Sequence, residues 1–116
     1  MKNDTYSLLE GEIGDQLSGT RKMCQNLLSA LSEKKIDLKT SKILLSVARE
    51  MLNKAYITKL SLYTALGMKK DEIDAIDGQR MSELKSLDDA ANKMFAELEP
   101  GHYDDHENQT IDQLLH

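Results

Sequence analysis

The residue types that most readily do chemistry are sparse in this chain and unevenly placed. All three histidines, His102, His106 and His116, fall within the last fifteen residues. His102 and His106 stand four apart around Asp104 and Asp105, a spacing that on a helix turns both rings toward one metal ion. The preceding Pro100-Gly101 and the polar composition oppose a helix there, so the stretch reads as a solvated acidic tail and no metal is expected. Cys24 is the single cysteine. It excludes an internal disulfide framework and a cysteine-rich zinc site, and it favours a reducing compartment. With no histidine close in sequence to activate a thiolate, it reads as a small buried hydrophobe. Gly11, Gly14 and Gly19 imitate a glycine-rich loop, but no strand precedes them, and Gly19-Thr20-Arg21-Lys22 lacks the Gly-Lys-Ser/Thr order of a phosphate cradle. No catalytic residue is assigned, no cofactor is expected, and the chain reads as a non-enzyme.

Charge carries the second kind of signal. Of 15 Lys/Arg and 20 Asp/Glu, residues 1–70 hold 12 and 7 while residues 71–116 hold 3 and 13, so the net −5 is a +5 half joined to a −10 half. Such asymmetry points to partners, although oppositely charged helices attracting one another within one fold produce it too. In the basic half, Lys34, Lys35, Lys39, Lys42 and Arg49 form a candidate phosphate-binding set. A helix-turn-helix reading of residues 65–73 does not supply a DNA reader. Its recognition helix would begin Asp71-Glu72-Ile73-Asp74-Ala75-Ile76-Asp77 and repel DNA. In the acidic half, Asp71, Glu72, Asp74, Asp77, Asp88, Asp89, Asp104 and Asp105 form a candidate surface for a basic protein partner.

These groups must be positioned by helices, because periodicity finds no convincing strand. At 116 residues the chain fits one domain. Leu8, Leu9, Ile13 and Leu17 have near-helical spacing. Gly11, Gly14 and Gly19 each cost about 1 kcal/mol relative to Ala in a helix interior, so residues 1–18 are expected to form a weak helix. A firmer helix is expected over residues 20–33, capped by Thr20, with Met23, Leu27, Leu28 and Leu31 on one stripe. The short turn 34–37 folds the chain back as a hairpin, and Asp37, or alternatively Thr40, is the expected N-cap of a helix over residues 38–66. On that helix Leu44, Leu45, Ala48, Met51, Leu52, Ala55, Tyr56, Leu62 and Tyr63 lie in an apolar arc of roughly half the circumference. One short partner helix cannot cover so wide a face, so the second helix must meet a third helix, another subunit or both, and these residues are assigned to a homo-oligomer interface, most simply a dimer.

Gly67 is the natural stop of the second helix. The third, over residues 71–98, opens with acids that suit the positive end of the helix dipole. Gly78 is a candidate kink, and Pro100 closes the element. The expected organisation is a weakly helical segment 1–18, a helical bundle 19–99 and an acidic tail 100–116. Within the tail, Ile111, Leu114 and Leu115 have the spacing of one apolar helical turn. The fold class is all-α, a helical hairpin plus a third helix forming a small bundle. No apolar run approaches the roughly 20 residues of a membrane span and no signal-peptide pattern opens the chain, so a cytoplasmic location is expected.

One stretch resembles a known group. The run Leu28-Ser29-Ala30-Leu31, then Lys35-Ile36-Asp37, Ser41-Lys42, Val47-Ala48, Asn53-Lys54-Ala55 and Tyr63, closing at Gly67, is similar to that of certain short phage and prophage proteins. They combine a Leu-rich helix, an Ile-Asp turn and a long helix with an Asn, a Lys and a late Tyr. The resemblance covers residues 20–67; the glycine-bearing N-terminus and the acidic C-terminal half depart from it. It implies a mobile-element origin and an all-helical hairpin, and no mechanism, since the group has no established activity.

These readings converge on a non-enzymatic protein-interaction module, a small regulator or inhibitor that binds a host protein or complex through its acidic helix and tail. The alternative is a nucleic-acid-binding transcriptional regulator that uses the basic hairpin, masked by the acidic tail.

Overall fold

The computed structural model describes residues 2–98, which form three helices and no strand. Helix α1 spans Lys2–Ser32, α2 spans Leu38–Ala65 and α3 spans Lys70–Leu98. Together they make a small all-α bundle, in which α1 and α2 form an antiparallel hairpin and α3 folds back along α2.

The hairpin closes because a heptad rhythm runs through both helices. Helix α1 buries Ile13, Leu17, Thr20, Cys24 and Leu31, and α2 answers with Ser41, Leu45, Ala48, Leu52 and Ala55. Steps alternating between four and three keep one seam turned toward the partner helix over many turns, as in coiled coils. Ser41, Ala48, Ala55 and Cys24 keep parts of that seam small. Helix α3 adds buried Leu84, with Ile76 and Leu87 partly buried against the central cluster that contains Ile13, Leu17, Leu52, Ala55 and Tyr56.

Both helix-ending turns use the same hydrogen-bond pattern. After α1, Lys35 N–H reaches the Ala30 carbonyl at 2.8 Å and Lys34 N–H the Leu31 carbonyl at 3.0 Å. After α2, Met68 N–H reaches the Tyr63 carbonyl at 3.0 Å and Gly67 N–H the Thr64 carbonyl at 3.1 Å. The pattern requires one left-handed residue. Gly67 supplies it at φ 80°, whereas in the first turn Lys34 takes φ 60°. A side chain in that conformation costs about 1–2 kcal/mol.

Helix α1 departs from the expectation of a weak segment followed by a new start at residue 20. It runs unbroken through Gly11, Gly14 and Gly19. Thr20 is not a cap; it is buried in mid-helix and its hydroxyl donates to the Gln16 carbonyl. Each glycine costs about 1 kcal/mol, but burial of Ile13 and Leu17 contributes about 1.5–3 kcal/mol each, which decides the outcome. Gly78 likewise leaves α3 unbroken. Asp37 does occupy the N-cap position of α2, without a side-chain cap bond.

The length of α1 takes up part of the face assigned to an oligomer interface. At 31 residues it matches the 28 of α2, so Leu45, Ala48, Leu52, Ala55 and Tyr56 are buried within the chain and unavailable to a second copy. Leu62 and Tyr63 are partly buried. Of the assigned interface residues, Leu44 and Met51 stay exposed. The acidic tail, with Asp104, Asp105 and the three histidines, lies outside the described residues.

Candidate functional site

One cluster draws a side chain from each helix. Arg21 of α1 lies against Glu83 of α3, its Nε donating to Oε2 at 2.6 Å and its Nη2 to Oε1 at 2.8 Å. The same Nη2 donates to the Tyr56 hydroxyl of α2 at 2.8 Å, and that hydroxyl donates onward to Glu83 Oε1. The Arg21 guanidinium also stands 5.8 Å from the Tyr56 ring centre, within cation–π range. The cluster edges an open depression of about 540 Å³ lined also by Gly78, Gln79 and Ser82.

Its electrostatics are self-contained. The Arg21 hydrogen bonds hold the Glu83 carboxyl below the usual glutamate range, outweighing its desolvation. Burial, followed by the Glu83 bond, pushes the Tyr56 phenol up, so it stays protonated. Burial also raises the Cys24 thiol, and the Glu83 charge adds to it, which leaves little thiolate at neutral pH. Every charge in the cluster is answered inside it. The arrangement therefore acts as a clamp joining three helices, with bidentate geometry that fixes the approach of α3.

Two further arginines repeat this function between α2 and α3. Arg49 donates to Asp88 through Nε at 2.8 Å and Nη2 at 3.1 Å. Arg80 donates to Asn53 at 2.9 Å and to Asp77 at 2.8 Å. Lys42 is buried on α2 with its ammonium 5.1 Å from the Phe95 ring centre of α3.

These contacts redistribute both predicted charged surfaces. Of the basic set, Lys42 and Arg49 are turned into the α2–α3 seam, leaving Lys34, Lys35 and Lys39 exposed near the α1–α2 turn. Five basic side chains are therefore not brought together on one face. Of the acidic set, Asp88 is bound by Arg49, Asp77 by Arg80, Asp74 by Lys70 at 3.3 Å and Asp89 by Lys85 at 2.8 Å. Asp71 and Glu72 occupy the exposed first turn of α3, at the far end from the α1–α2 turn. Among the described residues, no group of three or more His, Cys, Asp or Glu is placed to hold a metal ion, and no helix is long and apolar enough to cross a membrane.

One unanswered feature on α2 is apolar. Leu44, Val47 and Met51 are 39%, 53% and 45% exposed, beside Ile43 at 43%. At about 100° per residue they lie roughly half a turn from Lys42, Arg49 and Asn53, the α2 residues that reach α3. Lys39 and Lys54 are exposed along the flank of this outer face. Met23 on α1 is exposed as well, about 160° around α1 from Arg21 and thus also away from α3. The sequence marked Leu44, Val47 and Met51 as apolar but could not separate them from buried neighbours one heptad step away. It gave no sign of Arg21, Tyr56 and Glu83 as a unit, since Arg21 and Glu83 are 62 residues apart. No family model, no curated protein and no solved structure matches this chain.

Proposed function

We propose that the chain is a non-enzymatic protein-interaction module, a small regulator or inhibitor that binds a host protein or complex. One observation carries the reading: the outer face of α2 leaves Ile43, Leu44, Val47 and Met51 exposed on consecutive turns. Contiguous apolar surface rimmed by charge is the usual mark of a protein contact. The face relocates the contact from the acids of α3, most of which are bound by the chain's own arginines and lysines. A phage or other mobile-element origin is part of the proposal and rests on the residue pattern of positions 20–67.

A photo-crosslinking residue placed at Val47, and in a second chain at Asp71, tests the reading in the native host. The expected result is a covalent adduct with one protein from position 47, lost when Met51→Asp is added, and none from position 71. An adduct from position 71 alone would transfer the contact to the acidic end of α3. Silence at both positions would sink the reading.

A further inference from the structure

Helix α3 lies in a groove of the hairpin that suits a helix of one particular chemistry. Its contacts step along about 20 Å of α2, from Lys42 to Tyr56, and run backwards along α3. Phe95 lies beside Lys42, Asp88 on Arg49, Glu83 on Tyr56 and Arg80 on Asn53. The floor is apolar, since Leu84 joins the cluster of Leu17, Leu52 and Tyr56, and Leu87 packs against it. At about 100° per residue, Leu84, Leu87 and Ala91 form the centre of the docked face, and Glu83 and Asp88 lie on its opposite edges. An arginine from each helix of the hairpin takes one edge: Arg21 of α1 holds Glu83, and Arg49 of α2 holds Asp88.

Charge follows the same division. Residues 70–98 carry 4 Lys/Arg and 8 Asp/Glu, and residues 1–69 carry 11 and 7. Where α3 presents Arg80 the hairpin offers neutral Asn53. Glu50 also lies near Arg49, at 3.9 Å, but the 2.8 Å bond to Asp88 is the closer one. The seat is nonetheless shallow. Only Leu84 and Ala91 of α3 are buried, both ion pairs are partly exposed, and an open depression of about 540 Å³ beside Arg21, Gly78 and Ser82 leaves the seam incompletely filled. An element held this way is among the first to open.

We propose that the hairpin face beneath α3 is a second docking groove, that its occupant in a complex is a partner's amphipathic helix with an acid on each edge of an apolar stripe, and that α3 is the built-in ligand this helix displaces. The groove lies on the other side of α2 from Leu44, Val47 and Met51, so it stands or falls apart from the outer face. The short turn between α2 and α3 keeps α3 at an effective concentration on the order of millimolar. A partner helix must therefore outcompete it.

The test uses a fluorescent Gln/Ala peptide of about 20 residues, long enough to be helical. It carries only Glu, Leu, Leu, Asp and Ala at the spacing of 83, 84, 87, 88 and 91. Anisotropy follows its binding to the full chain and to the full chain with Glu83→Gln/Asp88→Asn, which loosens α3 and leaves the groove intact. The expected result is about tenfold tighter binding to the loosened chain, from the loss of two partly exposed ion pairs. That binding should weaken with salt and be lost when Arg21→Gln/Arg49→Gln is added. Amide protection in α1 and α2 reports whether the hairpin persists. Should the loosened chain unfold, a full chain with intact clamps and a protease site inserted after Gly67 replaces it, and cutting must then tighten peptide binding. Equal binding to loosened and unmodified chains would place the peptide elsewhere and overturn the groove. So would no binding to any chain, or a loosened chain that prefers a DNA duplex to the peptide. The host crosslinking at Val47 reports separately: capture of a partner there, with no peptide binding here, ends the groove and leaves the outer-face reading standing.

Discussion

The two seams of the bundle are built from different materials. Between α1 and α2 the contact is a continuous heptad seam of Ile13, Leu17, Cys24 and Leu31 against Leu45, Ala48, Leu52 and Ala55. On α3 only Leu84 and Ala91 are buried, and arginine clamps supply much of the fixing: Arg21–Glu83 to α1, and Arg49–Asp88 and Arg80–Asn53 to α2. An apolar seam is insensitive to salt and to mild acid. A seam of partly exposed ion pairs weakens with both, because screening and protonation act on charge. The hairpin is thus the stable part of the molecule and α3 the conditional one.

The largest effect should come from the apolar seam. Leu52→Ala empties a position that is 1% exposed and should cost about 2–5 kcal/mol, measured by urea unfolding at low and at high salt with the same result. A strongly salt-dependent loss would break the contrast between the seams. Glu83→Gln comes next. The pair it breaks is partly exposed, 42% for the Arg21 side chain and 28% for Glu83, so the expected loss is about 1 kcal/mol at low salt, shrinking as salt is added. Amide exchange should show the loss in α3 before it shows in α1.

Acid sharpens the same comparison. The folded Glu83 carboxyl sits below its usual value of 4.5 because Arg21 bonds to the charged form. A depressed folded value contributes stability above the unfolded value, and that stability is lost as pH falls through the folded one. Protection of α3 amides should therefore decline below about pH 4.5, with the α1–α2 seam following later. In Glu83→Gln this part of the acid dependence should disappear.

Two smaller substitutions test local features of the hairpin. Ser41 is fully buried on the α1–α2 seam, and its hydroxyl has no hydrogen-bond partner among the described residues. Ser41→Ala should stabilise the chain by about 1 kcal/mol, since an unmet buried hydroxyl is costly and Ala is the better helix former. Lys34→Gly relieves the left-handed backbone in the first turn. The gain should be about 0.5 kcal/mol, because glycine also loosens the unfolded chain. Gly67→Ala, in the matching turn after α2, should move in the opposite direction. Thermal or urea midpoints check all three.

What could be read beforehand, and what could not, follows from the range of the forces involved. Local pattern gave the three helices, the stop at Gly67, the N-cap position of Asp37 and the acidic start of α3, because capping, periodicity and turn geometry act within a few residues. The glycines of α1 misled for the same reason: propensity counts a local cost and cannot see Ile13 and Leu17 gaining burial against helices far along the chain. Apolar spacing on α2 identified an arc wider than one helix covers, and that arc is real. Only the tertiary structure decided which part was consumed. A full-length α1 took Leu45, Ala48, Leu52 and Ala55 and left Leu44, Val47 and Met51 outside. Likewise the sequence determined a basic half and an acidic half, but the pairing of Arg21 with Glu83 and of Arg49 with Asp88 spans 62 and 39 residues. Partners that distant are selected by how the helices pack, which no local spacing encodes.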